Sequence, residues 1–228
     1  MRCMPIHSPE ADATIAEPLR PIGRADNNSV ADEDKRKRRR RDRATVREAA
    51  VRSARRILAD VGPRGVTLKA VAQDLGMRHG NLTYHFGSAA GLQRAVLEAL
   101  GEEVIASVGD AVRRLDDGSS TERAIVDLIF DAIATTGLIR LVSWLVSTGA
   151  ADQMAPVDRV LADFIRRRAE AGSPHAPASI ARMVMAVLVS ALGATLMGTQ
   201  LPRMLGLPDD VHRDLAAAQL RALRTAGG

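Results

Sequence analysis

The segment 66–86 constrains the fold of this chain most, because its sequence reads as two short helices joined by a glycine. Thr67 can cap the first helix with its hydroxyl, and apolar residues then recur at helical spacing up to Leu75. Gly76 follows at the place where a helix ends in the left-handed region, which glycine adopts freely. Leu82 supplies the apolar side of the second helix, so the segment predicts two short helices packed on a common core.

The outer side of the second helix is polar, and its residues are Arg78, His79, Asn81 and Tyr84. Side chains of this kind reach base edges and phosphates when a helix enters the major groove of DNA. Two helices joined by a glycine turn also occur in ordinary helical bundles, so the pattern alone leaves both interpretations open. The surrounding sequence favours a protein that binds double-stranded DNA.

The composition favours helices throughout the chain. Hydrophobic residues make up 46% of the 228 residues but aromatic residues only 2%, so the core must be built from Ala, Val, Leu, Ile and Met. No segment reads as a convincing strand, and the length suffices for a small domain beside a larger one. We therefore predict an all-α protein.

Positive charge is concentrated near the amino terminus. The segment 35–56 holds twelve basic and two acidic residues, while the whole chain has a formal net charge of +5. Residues 1–43 combine prolines and charges with little apolar periodicity, which predicts a disordered basic arm. Such an arm is either a solvated tail or a contact to DNA, and we expect a contact to DNA. The arginines concerned are Arg38, Arg39, Arg40 and Arg41.

Capping residues and helix breakers divide the remaining chain into helices. Thr45 opens a first helix as part of a capping box, and Gly62 and Pro63 end it. Ser88 caps a long helix that ends near residue 116, and Ser119 opens a second capping box. The further predicted segments are helices over 138–147, from Pro156 onwards and over 179–197, a connection over 202–208, and a last helix that Asp209 or Asp210 caps and that runs through Leu215, Leu220 and Leu223.

The segment 179–197 is nearly apolar all round, which predicts burial on most of its sides. Its most apolar part, 183–197, falls short of the roughly 20 apolar residues that span a bilayer, so no membrane partner is expected. Cys3 is the only cysteine, and the amino terminus lacks the continuous apolar stretch of a secretion signal. We expect a cytoplasmic protein.

No arrangement of side chains in the sequence points to catalysis, to a metal or to a cofactor. His79 and His85 are six residues apart on a short helix, so they do not share a face. The other histidines have no cysteine or paired acidic residues at the spacing of metal ligands. An enzyme is therefore not expected.

The segment 45–97 resembles the amino-terminal domain of the TetR family of bacterial transcriptional regulators. The residues that match the family pattern without a gap are Gly65-Val66-Thr67, Val71-Ala72, Leu75-Gly76-Met77, Gly80-Asn81-Leu82, His85-Phe86, Ser88 and Leu92. The resemblance implies a three-helix DNA-binding domain over 44–91 and a helical dimerisation and ligand-binding domain over 92–228. It also implies a homodimer through about 179–225, in which the last two helices pair with their copies.

Three positions depart from the family pattern. Thr83 stands where the family has a tyrosine, with Tyr84 one place later, and Ala89 stands where a lysine is usual. Arg78 stands where a serine often opens the recognition helix. Either Tyr84 takes over the phosphate contact or Thr83 makes a shorter one. The lysine contact is lost, and the basic arm can compensate for that loss.

Within the predicted DNA interface, Arg78 is the candidate for a bidentate contact with guanine. His79 can read a base or remain solvated, and Asn81 faces a base or a phosphate. The residues expected to contact the DNA backbone, which position the protein without reading sequence, are Thr67, Lys69, Thr83 and Tyr84.

An apolar small molecule is expected to bind among the helices between residues 104 and 171. The candidate lining residues are Phe130, Trp144, Leu145, Met154 and Phe164, each of which could equally be ordinary core. The predicted function is a transcriptional repressor that a small-molecule ligand releases from a palindromic operator. The alternative is a ligand-independent DNA-binding activator or architectural protein.

Overall fold

The computed structural model describes the backbone of residues 27–226 and the side chains of residues 41–226. The chain divides into two compact units, residues 1–42 and 43–228. Every regular element among the described residues is a helix, which confirms the all-α prediction. The helices are α1 (Asn27–Asp60), α2 (Leu68–Asp74), α3 (His79–Phe86), α4 (Ala89–Asp116), α5 (Glu122–Thr136), α6 (Leu138–Ser147), α7 (Ala155–Glu170), α8 (Pro177–Met197), α9 (Gln200–Met204) and α10 (Val211–Ala226).

Helix α1 begins earlier than the sequence pattern predicts. It starts at Asn27 and not at Thr45, so residues 27–43 of the predicted arm are helical. No glycine or proline interrupts residues 24–61, and the arginine, lysine and alanine that dominate this stretch are good helix formers. The capping box at Thr45 therefore lies inside a helix and does not open one. Residues 1–26 of the predicted arm lie outside the described residues.

The predicted caps of the two following long helices have different outcomes. Ser88 accepts a hydrogen bond of 3.1 Å from the backbone N–H of Gly91 and opens α4, as predicted. The cap predicted at Ser119 is wrong, because the hydroxyl of Thr121 accepts the backbone N–H bond, at 3.2 Å, that opens α5. Ser119 donates its hydroxyl to Asp117 at 2.6 Å instead and stabilises the turn after α4.

The connection predicted over 202–208 contains part of the short helix α9. Asp209 and Asp210 precede α10, and their carboxylates pair with Arg203 at 2.7 Å and with Arg123 at 3.1 Å. The cap predicted at one of them stays a prediction. The second of these ion pairs links the start of α10 to α5. Helix α10 is thereby held against α5 on one side, while it packs on α8 on another.

One apolar core runs through the described residues from 43 onwards. Helix α4 connects its parts, because it packs against α3 near its beginning and against α5 and α7 further along. Leu58 of α1, Leu97 of α4 and Leu145 of α6 belong to the same cluster and are at most 1% exposed. The short amino-terminal helices and the larger helical body therefore share a continuous core.

Helix α8 is buried less than its composition predicts. Met185, Val189 and Leu196 are 64%, 57% and 61% exposed. The residues of α8 that are buried are Ser179, Ile180, Val187 and Ala191. The prediction of burial on most sides is thus wrong for the single chain, because the neighbouring helices cover only part of α8.

Helix α8 is also longer than the apolar segment 183–197, which is too short to cross a bilayer. By length and composition its 21 residues could cross a membrane, which corrects the length argument made from the sequence. Core helices of soluble proteins pass the same test, so this one helix is weak support for a membrane protein.

A methyl group at Gly91 is expected to destabilise the fold. A Cβ atom there would overlap the carbonyl oxygen of Phe86, so the adjoining ends of α3 and α4 would have to separate. Overpacking costs roughly 1–3 kcal/mol, and the helix preference of alanine offsets up to about 1 kcal/mol of this cost. Gly91→Ala should therefore lower the free energy of unfolding by up to about 2 kcal/mol in urea denaturation followed by circular dichroism.

Gly109→Ala, in the same helix, is the matched control. No heavy atom lies within 4 Å of a Cβ at Gly109. Alanine favours a helix over glycine by about 1 kcal/mol, so this variant should be more stable than the unmodified protein. Equal stability of the two variants would contradict the close approach of α3 and α4.

Candidate nucleic-acid interface

The two helices predicted within 66–86 are present, with the predicted turn between them. The hydroxyl of Thr67 accepts a hydrogen bond of 3.1 Å from the backbone N–H of Ala70 and caps α2. The chain then turns through Gly76 at a φ of +63°, in the region that favours glycine. Arg78 occupies the N-cap position of α3, so the second helix begins where the sequence pattern indicates.

Helix α3 has one buried and one exposed face. Leu82 is fully buried and Phe86 is 8% exposed, and both belong to the apolar core. The residues exposed on α3 and at its N-cap are Arg78, His79, Gly80, Asn81, Thr83 and Tyr84. The polar side of this helix is therefore open to solvent, as an interface with DNA requires.

Contacts from α1 and α4 fix the carboxyl-terminal end of α3. Arg47 of α1 donates a hydrogen bond of 3.4 Å to the carbonyl oxygen of His85, and its guanidinium lies 4.9 Å from the centre of the Phe86 ring. Gly91 of α4 meets the Phe86 carbonyl from the other side. The end of α3 is thus held between two helices that themselves belong to the core.

The exposed side of this end carries arginine charges. The guanidinium of Arg43 lies 4.8 Å from the centre of the Tyr84 ring, which is a cation–π contact. Burial, together with the charges of Arg43 and Arg47, lowers the pKa of His85. Because His85 is therefore neutral near pH 7, the positive charge here comes from the two arginines.

Helix α2 is held against α1 through one carboxylate. Ser53, which is fully buried, donates to the carboxylate of Asp74 at 2.5 Å, and Arg56 donates to the same oxygen at 2.6 Å. The hydrogen bond from Ser53 and the charge of Arg56 lower the pKa of Asp74. Gln93 of α4 donates to the carbonyl oxygen of Val66 at 3.3 Å and fixes the turn before α2.

The remaining predicted DNA contacts fall at different places. Lys69 of α2 is exposed, whereas Thr67 is half-buried because its hydroxyl caps α2. The hydroxyl of Thr83 donates to the carbonyl oxygen of His79 at 3.2 Å while the residue stays exposed. Arg41 is exposed. The side chains that lie outside the described residues are those of Arg38, Arg39 and Arg40.

The sequence interpretation missed the role of Arg43 and Arg47 beside α3. Both belong to the basic segment 35–56, and they are spaced one helical turn apart on α1. That spacing could have indicated two guanidinium groups on one face. The contacts of these arginines with the rings of Tyr84 and Phe86 could not be predicted from the sequence, because they depend on how α1 crosses α3.

A cavity of about 140 Å³ lies between α4, α5, α7 and α8. Phe164 lines it, as predicted for a ligand site. Leu145 is instead fully buried in the core, and the ring of Phe130 stacks on His212 with 5.5 Å between ring centres. The predicted residues that are not part of the lining of this cavity are Phe130, Trp144, Leu145 and Met154.

Within residues 41–226, no group of three or more His, Cys, Asp or Glu side chains could hold a metal ion. His79 lies on the exposed side of α3, whereas His85 is half-buried beside Arg47, so the two histidines do not converge. The expectation of a protein without a metal or cofactor stays a prediction.

The contact between Ser53 and Asp74 is expected to make stability depend on pH. Because the folded state lowers the pKa of Asp74 below its ordinary value of 3.8, the ionised form is favoured on folding. This contribution is fully present above about pH 5 and is lost as the pH falls through the lowered pKa. Ser53→Ala should therefore flatten the decline of the unfolding free energy between about pH 5 and pH 3, measured by urea denaturation at each pH.

Ser107→Ala is the control for this measurement, because the Ser107 hydroxyl donates to the backbone carbonyl of Val104 at 2.8 Å and not to a carboxylate. Its pH dependence should match that of the unmodified protein. An unchanged slope in Ser53→Ala would contradict the role given to this hydrogen bond.

Comparison with known proteins agrees with the geometry. A family model for bacterial regulatory proteins of the tetR family matches residues 50–96. The crystal structure of the multidrug binding protein EbrR complexed with imidazole is similar to this chain, with a TM-score of 0.57, 21% identity, and coverage of 78% of this chain and 93% of that one. A crystal structure assigned to a TetR-family transcriptional regulator from Rhodococcus sp. is also similar, with a TM-score of 0.51 and 17% identity. The similarity covers 78% of this chain and 97% of that one. No curated protein matches the sequence.

The match over residues 50–96 covers α2, α3 and the parts of α1 and α4 that hold them. At these low identities the two crystal structures show a shared fold and nothing finer. The chain therefore has the fold of TetR-family transcriptional regulators, and its residues 50–96 match the model of that family.

Proposed function

We propose that this protein is a sequence-specific, dimeric transcriptional regulator whose affinity for its DNA operator is lowered by a small-molecule ligand. The observation that carries DNA recognition is the polar face of α3, which is exposed along the helix while Leu82 and Phe86 anchor the opposite face. A rigid, exposed helix of eight residues, about 12 Å long, fits the major groove of B-DNA.

The proposed interface divides into base contacts and phosphate contacts. Arg78, at the beginning of α3, makes a bidentate contact with guanine, and His79 and Asn81 lie beside it. Tyr84 and Lys69 contact the DNA backbone, and Arg43, next to the Tyr84 ring, adds charge there. The residues of α1 proposed to add further phosphate contacts are Arg38, Arg39, Arg40 and Arg41.

Dimerisation is proposed to involve α8 and α10. The exposed apolar residues of α8, Met185, Val189 and Leu196, recur at helical spacing and form one stripe. Leu215 of α10 is also 64% exposed. A second copy of the chain covers these side chains through the region 179–225. The dimer presents two α3 helices to half-sites about one turn of DNA apart, roughly 34 Å, which requires a palindromic operator.

Release of DNA by a ligand is proposed to act through α4. The beginning of this helix contacts α3 at Gly91, and its later residues, from Gly101 to Asp116, line the cavity of about 140 Å³. A ligand that shifts α4 therefore changes the position of α3 and the separation of the two DNA-binding helices in the dimer. EbrR, which is described as a multidrug binding protein, is a structural relative that supports a ligand site in this fold.

The regulator is proposed to be a cytoplasmic repressor without enzymatic activity, since a protein that binds when unliganded blocks transcription until its ligand arrives. The alternative, a ligand-independent activator or architectural protein, keeps the α3 interface but leaves the cavity without a role. The apolar lining of the cavity favours the ligand-responsive form.

Arg78→Ala should weaken binding to the operator by roughly 1–3 kcal/mol and relax the base preference at one position of each half-site. The physical reason is the loss of two parallel hydrogen bonds to guanine. The measurement is fluorescence anisotropy on DNA selected from a random pool, and on the same DNA with single substitutions.

Arg167→Ala is the control for Arg78→Ala, because Arg167 is an exposed arginine of α7 that pairs with Asp163 at 3.0 Å. It should bind the operator as the unmodified protein does. A uniform loss over all DNA sequences in Arg78→Ala would make Arg78 a phosphate contact, and no loss would remove it from the interface.

Val189→Asp should convert the dimer into a monomer of 24.4 kDa in sedimentation velocity, because a carboxylate would be buried between two apolar stripes. Its circular dichroism should be unchanged, since Val189 is exposed in the single chain. Val146→Asp on α6 is the matched control, because Val146 and Val189 are both 57% exposed. A dimer that survives Val189→Asp would place the subunit interface elsewhere.

A further inference from the structure

The polar residues of the cavity form one connected group. Those that line it are Asp116, Arg168, Ser173, His175 and Arg224, while most of the lining is apolar. Arg168 pairs with Asp116, and the backbone N–H of Ser173 donates to the carbonyl oxygen of Arg168 at 3.2 Å. The backbone N–H of His175 donates in turn to the Ser173 hydroxyl at 3.4 Å. The cavity therefore has an apolar body and a polar end.

His175 is buried at this polar end without a side-chain hydrogen bond. It is 9% exposed, and neither ring nitrogen has a partner. A neutral imidazole offers one donor and one acceptor, and buried groups of this kind are normally paired. A molecule in the cavity can supply the missing partner.

Arg224 has a second unused donor in the same place. Its Nη2 donates to the carbonyl oxygen of Leu115 at 3.1 Å. Its Nη1 is buried without a hydrogen bond and lies 3.7 Å from Glu122, too far for one. A ligand acceptor that reached both Arg224 and His175 would give each side chain a hydrogen-bond partner.

Positive charge exceeds negative charge around this polar end. The charged residues that line the cavity are two arginines, Arg168 and Arg224, and one carboxylate, Asp116, which pairs with Arg168. Glu122 lies beside the lining and is shared between Arg224 and the exposed Arg221. Burial and the charge of Arg113 lower the pKa of Arg168, which agrees with this excess. An anionic acceptor suits the site better than a neutral or cationic one.

We propose that the cavity binds a small monocarboxylic acid, whose carboxylate accepts hydrogen bonds from His175 and Arg224 and whose apolar part fills the cavity. The volume of about 140 Å³ is close to the roughly 150 Å³ of an apolar cavity that binds benzene, so the apolar part holds about six carbon atoms. This inference rests on the ligand-responsive part of the proposed function and names the class of its ligand.

Isothermal titration calorimetry on the full chain without DNA tests the head group. The probes are phenylacetate, 2-phenylethanol and 2-phenylethylamine, which share an apolar part and differ in charge. Phenylacetate should bind at least tenfold more tightly than the alcohol, and the amine should bind most weakly. His175→Leu should remove at least tenfold of the phenylacetate affinity and lower that of the alcohol by a smaller factor.

Two controls separate a loss of contact from a loss of structure. His175→Leu should keep the thermal midpoint of the unmodified protein or raise it, because the imidazole it replaces is unpaired. His212→Leu makes the same change at a half-buried histidine that stacks on Phe130 and is not part of the cavity lining. It should leave the order of the three probes unchanged.

The outcomes distinguish this inference from the proposed function. Tighter binding of the alcohol or the amine, no binding of any probe, or an unchanged phenylacetate affinity in His175→Leu would overturn the carboxylate class and leave DNA recognition by α3 untouched. Phenylacetate binding that fails to release the selected DNA in anisotropy would overturn ligand-controlled release and leave the carboxylate site standing.

Discussion

The burial of Leu82 and Phe86 determines which side chains α3 presents to solvent. These two residues are one helical turn apart, so anchoring both of them in the core fixes the rotation of the helix about its axis. A rotation by one residue, about 100°, would turn Asn81 or Thr83 into the core, where an unpaired polar group is costly. Arg47 and Gly91 hold the same end of α3 from two sides. The proposed DNA interface therefore depends on apolar packing beneath it.

Local signals predicted the helices around α3 because each depends on a few neighbouring residues. The hydroxyl of Thr67, the left-handed Gly76 and the cap at Ser88 act within one turn of the chain. The same kind of signal failed at Thr45, where an uninterrupted run of helix formers carries α1 through a good capping pattern. It failed at Ser119 because Thr121, two residues later, offers a competing hydroxyl. A capping pattern thus predicts a helix start only where no helix already runs through it and no second cap competes.

The cavity could not be predicted from the sequence, because its residues come from separate helices. The size of an apolar side chain is a poor guide to whether it lines a cavity. Of the five large apolar residues predicted to line a ligand site, Phe164 alone lines the cavity of about 140 Å³. Leu145 is as apolar, yet it fills the core completely. His175 and Arg224 are nearly fifty residues apart in sequence and line the same cavity, because Arg168 of α7 pairs with Asp116 at the end of α4 and Arg224 of α10 donates to the neighbouring Leu115. No spacing rule connects residues that are joined through four helices.

The composition of α8 carries information about what covers the helix. Its apolar side chains suit lipid and protein equally, and Met185 and Val189 are exposed in the single chain. The neighbouring helix α10 distinguishes lipid from protein as the covering partner. Helix α8 packs along α10, which carries Arg213, Asp214 and Arg221 on its exposed or half-exposed surface. A bilayer that surrounded α8 would also meet these charges, which are expensive to place in lipid. A second copy of the chain can cover the apolar stripe and leave the charges in water, so the packing of α10 favours a protein partner for α8.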